Sequence, residues 1–145
     1  MKKQVLITDI ISAIILLLML YAALSKLLQY QQFRATLSAA PVLKSFAALL
    51  AWLIPVTEII TAILLFFPST RLRGLQAGFL LVSTFTVYLS VMVLATRELP
   101  CNCGGIISGM SWPQHIVFNI FFTILTGSGI LVYEKRTETM KRTPP

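Results

Sequence analysis

Charge is scarce in this 145-residue chain: Asp, Glu, Lys and Arg make up 12% of it, against about 25% for a soluble domain. Hydrophobic residues make up 57%, so a water-soluble globular domain is excluded, and the length allows one domain. Acid is scarcer still. Five carboxylates and one histidine leave few candidates for acid–base chemistry. Cysteine occurs twice, at Cys101 and Cys103 in one short segment, which excludes a secreted scaffold stapled by several disulfides. No aromatic–basic interleaving or phosphate-cradling glycine loop accompanies the formal charge of +7, so the basic excess does not indicate nucleic-acid binding.

Long apolar runs are abundant. Crossing a bilayer takes about 20 mainly apolar residues, and four such runs are present: Val5–Leu28, Phe46–Phe67, Leu75–Thr96 and Pro113–Tyr133. Pro41, Pro68, Pro100 and Pro113 punctuate the connections, whereas Pro55 lies inside the second run and deprives the Ala51 carbonyl of its helical donor. Lys2 and Lys3 followed by an apolar stretch resemble the start of a signal peptide, with Ala23 and Ser25 near a possible cleavage site. The run is longer than a signal core, and three further spans need a packing partner, so the expectation is a retained first helix. The fold class is therefore an all-α membrane protein, a four-transmembrane-helix bundle over residues 1–133.

Basic residues orient the bundle. Lys2, Lys3, Arg71, Arg73, Lys135, Arg136, Lys141 and Arg142 fall on one side, and Lys26, Arg34, Lys44 and Arg97 on the other. The richer side belongs in the cytoplasm. Both termini are then cytoplasmic and the cysteine loop faces outward, in a multi-pass protein of the bacterial plasma (inner) membrane. Residues 134–145 read as a charged, frayed cytoplasmic tail. Between the first two spans, Phe33, Leu37, Val42 and Leu43 are expected to lie on the outer membrane surface as a short interfacial helix broken at Pro41.

The most informative segment is Leu99-Pro-Cys101-Asn-Cys103-Gly-Gly105. An outward-facing loop lies in a compartment that permits disulfides. A disulfide needs Cα atoms about 4.4–6.8 Å apart, so only some conformations of Asn102 allow the ring. A strained bond is easier to reduce, which suits a labile redox pair. Ser111-Trp-Pro-Gln114 matches a capping box opening the fourth helix. His115 shares its first turn, and either the helix end or the imidazole can raise the thiolate fraction of a nearby cysteine. Cys101, Cys103 and His115 are thus the candidate catalytic residues. Two other readings stand beside this one: inert loop thiols or a static disulfide, and a Cu(I) or zinc site formed by Cys101, Cys103, His115 and Met110.

Ionisable groups in the hydrocarbon layer are costly and usually functional. Glu58 is the outstanding case, three residues after Pro55. Counting about 1.5 Å per residue puts Tyr21, Tyr88 and Asn119 at similar depth, Glu58 deeper, and Lys26 and His115 nearer the outer surface. His115, Asn119 and Thr123 share a helix face, as do Tyr21 with Ser25 and Thr84 with Tyr88. These residues suggest a polar track, either a proton path or a pocket for a quinone head group, with Glu58, Lys26, Tyr21, Tyr88 and Asn119 as candidate cofactor-binding residues. Interhelical hydrogen bonds that merely hold the helices together are the alternative. Asp9 is explained by a helix dipole, and Gly127 and Gly129 by close helix packing.

Tyr21-Ala-Ala-Leu-Ser-Lys26, Pro55-Val-Thr-Glu58, Arg71-Leu-Arg-Gly74, Cys101-Asn-Cys103-Gly-Gly and Trp112 to Asn119 together resemble the MauE branch of the DoxX-like membrane proteins, over about Val5 to Tyr133. The resemblance implies a four-helix membrane bundle with a redox-associated role. MauE proteins belong to methylamine utilisation and are thought to help mature methylamine dehydrogenase, whose small subunit is rich in disulfides. DoxX relatives include a subunit of a thiosulfate:quinone oxidoreductase. On that basis Cys101 and Cys103 are the expected redox pair, exchanging electrons with a periplasmic thioredoxin-like or client protein, with quinone in the bundle as a candidate acceptor. Two other functions fit the same residues: a non-enzymatic membrane assembly subunit, and a small transporter or metal-handling protein using Glu58 and Lys26.

Overall fold

A computed structural model describes residues 2–40, 43–95 and 112–142. Among these residues the structure is entirely helical: α1 (Lys2–Leu28), α2 (Tyr30–Ala39), a short 3-10 turn (Lys44–Phe46), α3 (Ala47–Phe66), α4 (Arg71–Ala95) and α5 (Trp112–Arg142). Four helices among them are long and apolar enough to cross a membrane: α1, α3 with the turn before it, α4 and α5. Leucine, isoleucine and valine side chains cover their outer surfaces, among them Leu17, Leu49, Leu80 and Ile124. In water such a surface would be an aggregation hazard, whereas in lipid it is the solvated face.

The four spans run alternately up and down. α1 packs on α3 and α5, and α4 closes the ring by packing on the same two helices. All four meet at Gly78. A Cβ built there would lie 3.3 Å from Ile15 of α1, 3.7 Å from Thr61 of α3 and 3.9 Å from Thr126 of α5. The apolar core is built around this point from Ile11, Ile15, Met19, Ala62, Leu65, Leu75 and Val82. Two buried threonine hydroxyls in the core are satisfied on their own helices: Thr61 donates to the Thr57 carbonyl at 2.8 Å and Thr126 to the Phe122 carbonyl at 2.6 Å. Such self-satisfied threonines add no bond between helices.

Prolines set the turns. Ala40 and Phe67 both precede a proline and are both extended (ψ 120° and 125°), because the following ring disfavours helical backbone at that position. Past Pro68, the Thr70 hydroxyl donates to the Leu64 carbonyl at 2.8 Å, satisfying an end group of α3. α3 itself continues through Pro55, which is fully buried.

Several expectations need correction. α2 is the short helix expected after the first span, but its Phe33 and Leu37 side chains do not face outward; they are buried against Ala47 and Ala51 of α3. Two large apolar groups next to two alanines make a complementary seam, which removes them from both water and lipid. Residues 134–142 are not frayed, because α5 continues to Arg142. No glycine or proline interrupts the chain there before Pro144, and Glu, Lys and Arg are good helix formers. Asp9 does not depend on the helix dipole, whose effect fades after the first turn. It pairs with Arg71 of α4 and ties α1 to α4. Because the Asp9 side chain is 45% exposed, Asp9→Asn is expected to cost about 1 kcal/mol or less. Thermal unfolding in detergent checks this, and a much larger loss would show that the pair is not at a solvated end.

Candidate functional site

The polar centre of the bundle is an ion pair. Lys26 Nζ of α1 lies 2.7 Å from Glu58 Oε1 of α3, and both residues are buried (7% and 3% exposed). Backbone counting had placed the lysine well outside the glutamate. Side-chain direction closes the gap. Every helical Cα–Cβ bond leans toward the N-terminus of its own helix. α1 and α3 are antiparallel, so Lys26 leans into the bundle while Glu58 leans outward. The ammonium accordingly comes within 3.4 Å of the Ala22 carbonyl, one turn back along α1. Ala22 lies about 10 Å along the axis from the level of Ile15, in the half of the bundle that carries α2.

Two aromatic rings wall the ammonium. Lys26 Nζ is 5.1 Å from the centre of the Phe85 ring on α4 and 5.9 Å from that of Phe33 on α2. Both are within cation–π range. The other carboxylate oxygen, Glu58 Oε2, is buried and has no hydrogen-bond partner among the described residues. A charged acceptor without a partner in an apolar interior is costly.

The remaining candidates fall into three groups. Asn119 of α5 is buried. Thr126 meets Gly78, so Asn119, seven residues before Thr126, and Phe85, seven residues after Gly78 on the antiparallel helix, share a level. Tyr88, with its hydroxyl buried, and His115 are half-buried one turn farther toward the α2 end. Tyr21 is 52% exposed on the outer wall. Thr84 is exposed and donates to the Leu80 carbonyl, and Thr123 donates to the Asn119 carbonyl, so these hydroxyls are occupied on their own helices. Cys101, Cys103, Met110 and Ser111, the residue expected to cap the fourth span, lie outside the described residues. α5 does begin at Trp112, the residue after Ser111.

Sequence reasoning missed both phenylalanines of the site. Phe33 was assigned to a membrane surface, and Phe85 is one phenylalanine among nine in an apolar chain. Its spacing of three from Tyr88 on α4 was the available signal.

These features define a polytopic α-helical membrane protein with one buried Lys–Glu pair, walled by aromatic rings, in one half of a four-span bundle. The chain belongs to the MauE family: the family described as methylamine utilisation protein MauE matches residues 4–132. That range takes in all of Lys26, Glu58, both cysteines and Asn119. None of the curated proteins and none of the solved structures matches the chain. It is thus a MauE-family membrane protein, of a family linked to methylamine utilisation.

Proposed function

We propose that the protein is a thiol–disulfide exchanger of the bacterial plasma membrane, which uses Cys101 and Cys103 to oxidise the thiols of a periplasmic partner during its maturation. The observation that carries the reading is the segment Cys101-Asn-Cys103-Gly-Gly105, which holds both cysteines of the chain. The flanking helix ends support it. α4 ends at Ala95 and α5 begins at Trp112, both at the α2 end of the bundle, and the lysine and arginine bias favours the outside for that end. Membership in a methylamine-utilisation family supports it as well.

The chemistry balances in two steps. A partner thiolate attacks the Cys101–Cys103 disulfide, and a mixed disulfide forms as one cysteine leaves as thiolate. The partner's second thiolate then displaces the other cysteine. The partner ends with a disulfide and this chain with two thiols, having gained two electrons and two protons. Turnover needs a two-electron oxidant to restore the disulfide, and a membrane-dissolved quinone is the class proposed. Glycines 104 and 105 leave room for a partner backbone to approach.

Maleimide labelling of intact cells, with and without reductant, tests the assignment. Both thiols are expected to label only after reduction, from outside, and Cys101→Ser is expected to abolish partner oxidation. A pair that never changes redox state, or labels only from the cytoplasm, overturns the reading.

A further inference from the structure

We propose that Lys26, Glu58, Phe33 and Phe85 form the binding site for the ring head of a membrane-dissolved quinone. The inference rests on the thiol-exchange reading, which requires an oxidant of this class, but its evidence is separate.

The residues determine what chemistry fits. An ammonium carries three N–H donors. Glu58 Oε1 takes one, and the Ala22 carbonyl, at 3.4 Å, is a weak partner for another. The third is left facing the aromatic rings. Beside these donors, Glu58 Oε2 is buried with no partner among the described residues. The pair therefore offers both a donor and an acceptor to one ligand. A lysine beside a glutamate has no net charge, so an anionic phosphate would meet the carboxylate and a cation would meet the ammonium. A neutral ligand escapes both penalties. The rings of Phe33 and Phe85 add flat apolar walls, which suit an aromatic or quinonoid ring. One ring oxygen can accept from Lys26 as a quinone carbonyl and, after reduction, donate to Glu58 Oε2 as a hydroxyl. The site thus recognises both redox forms of a quinone.

Access follows from the fold. Phe33 belongs to α2, which buries only Phe33, Thr36 and Leu37. Displacement of this ten-residue helix, which covers the lysine through Phe33, is the proposed route of entry. The apolar outer surface of the bundle suits an isoprenoid tail lying in lipid.

The test is binding of a benzoquinone carrying one isoprene unit to the full chain in detergent, read by quenching of tryptophan fluorescence. Trp52 lies on α3, six residues from Glu58. Saturable quenching is expected. Glu58→Gln and Phe85→Leu should each weaken it at least 10-fold, and Thr84→Ala, on an exposed position, should not. Phe85→Leu keeps the ion pair, so it serves even where Glu58→Gln does not fold. The inference is overturned if no saturable binding occurs, or if Phe85→Leu binds as tightly as the parent. A Cys101→Ser/Cys103→Ser chain should bind quinone unchanged. Thiols that cycle without quinone binding here sink the site and spare the exchange reading. Quinone binding with thiols that never cycle does the reverse.

Discussion

Lys26→Met is expected to destabilise the bundle by about 3–5 kcal/mol, the cost of leaving one buried charge without its partner. Its effect should exceed that of Glu58→Leu, although each removes one member of the same pair. The reason is reach. In Glu58→Leu, Lys26 keeps a long flexible stem two residues from the end of α1, and can turn its ammonium toward the aqueous edge. In Lys26→Met, the glutamate is left eleven residues inside α3 on a short side chain, with neither carboxylate oxygen paired among the described residues. The double variant, apolar at both positions, should recover most of the loss, because a well-packed apolar pair often replaces a buried ion pair without penalty. Thermal unfolding of the four proteins in one detergent completes the cycle. If Lys26→Met and Glu58→Leu simply add in the double variant, the two residues are not coupled and the site described here does not exist.

That cycle also separates stability from function. A pair kept only to hold α1 on α3 can be replaced by leucine and methionine with nothing lost. A pair kept to bind a ligand leaves the double variant folded but unable to bind. Burying an ion pair contributes little net stability, so this arrangement points to use more than to architecture.

The four spans were legible in the sequence because the requirement that reveals them is additive: about 20 apolar residues in a row need no knowledge of the partner helix. The boundaries agree within a few residues wherever a proline stands. At the end of α5, where no breaker precedes Pro144, polarity alone suggested a frayed tail and the helix in fact continues to Arg142. Composition separates lipid from water there, but it does not separate helix from coil. The individual members of the site were legible too, since Lys26 and Glu58 are conspicuous in apolar runs. Their pairing was not. Depth counted along the backbone separates them, and only the opposed lean of side chains on antiparallel helices brings them to 2.7 Å. Phe33 was misassigned for a related reason. A short amphipathic segment beside a membrane has the same pattern whether its apolar face meets lipid or a neighbouring helix, and the alanines at 47 and 51 that receive it are distant in sequence.

Glycine shows the same limit, and it supplies the second large expected effect. Gly127 and Gly129 stand out in the sequence, and a Cβ at Gly129 would indeed lie 2.9 Å from an Ile11 methyl, yet the tightest approach among the described glycines is at Gly74. A Cβ there would lie 2.8 Å from the Leu65 backbone nitrogen and 3.0 Å from the Leu64 carbonyl carbon. These are backbone atoms of α3, and the Pro68–Thr70 turn holds them close to the start of α4. Neither helix can yield without opening the turn, so Gly74→Ala is expected to cost about 1–3 kcal/mol. At Gly78 the nearest atom is a methyl group of Ile15 at 3.3 Å, which must give by only a few tenths of an ångström, and the loss should be smaller. At Gly127 the added methyl meets the Phe79 ring at 3.5 Å, an ordinary contact. Replacing glycine by alanine inside a helix gains about 0.5–1 kcal/mol, so Gly127→Ala should be neutral or stabilising. Midpoint temperatures in detergent should therefore rank Gly127→Ala at or above the parent, then Gly78→Ala, then Gly74→Ala. A Gly74→Ala protein as stable as the parent would mean that α3 and α4 do not approach as closely as described.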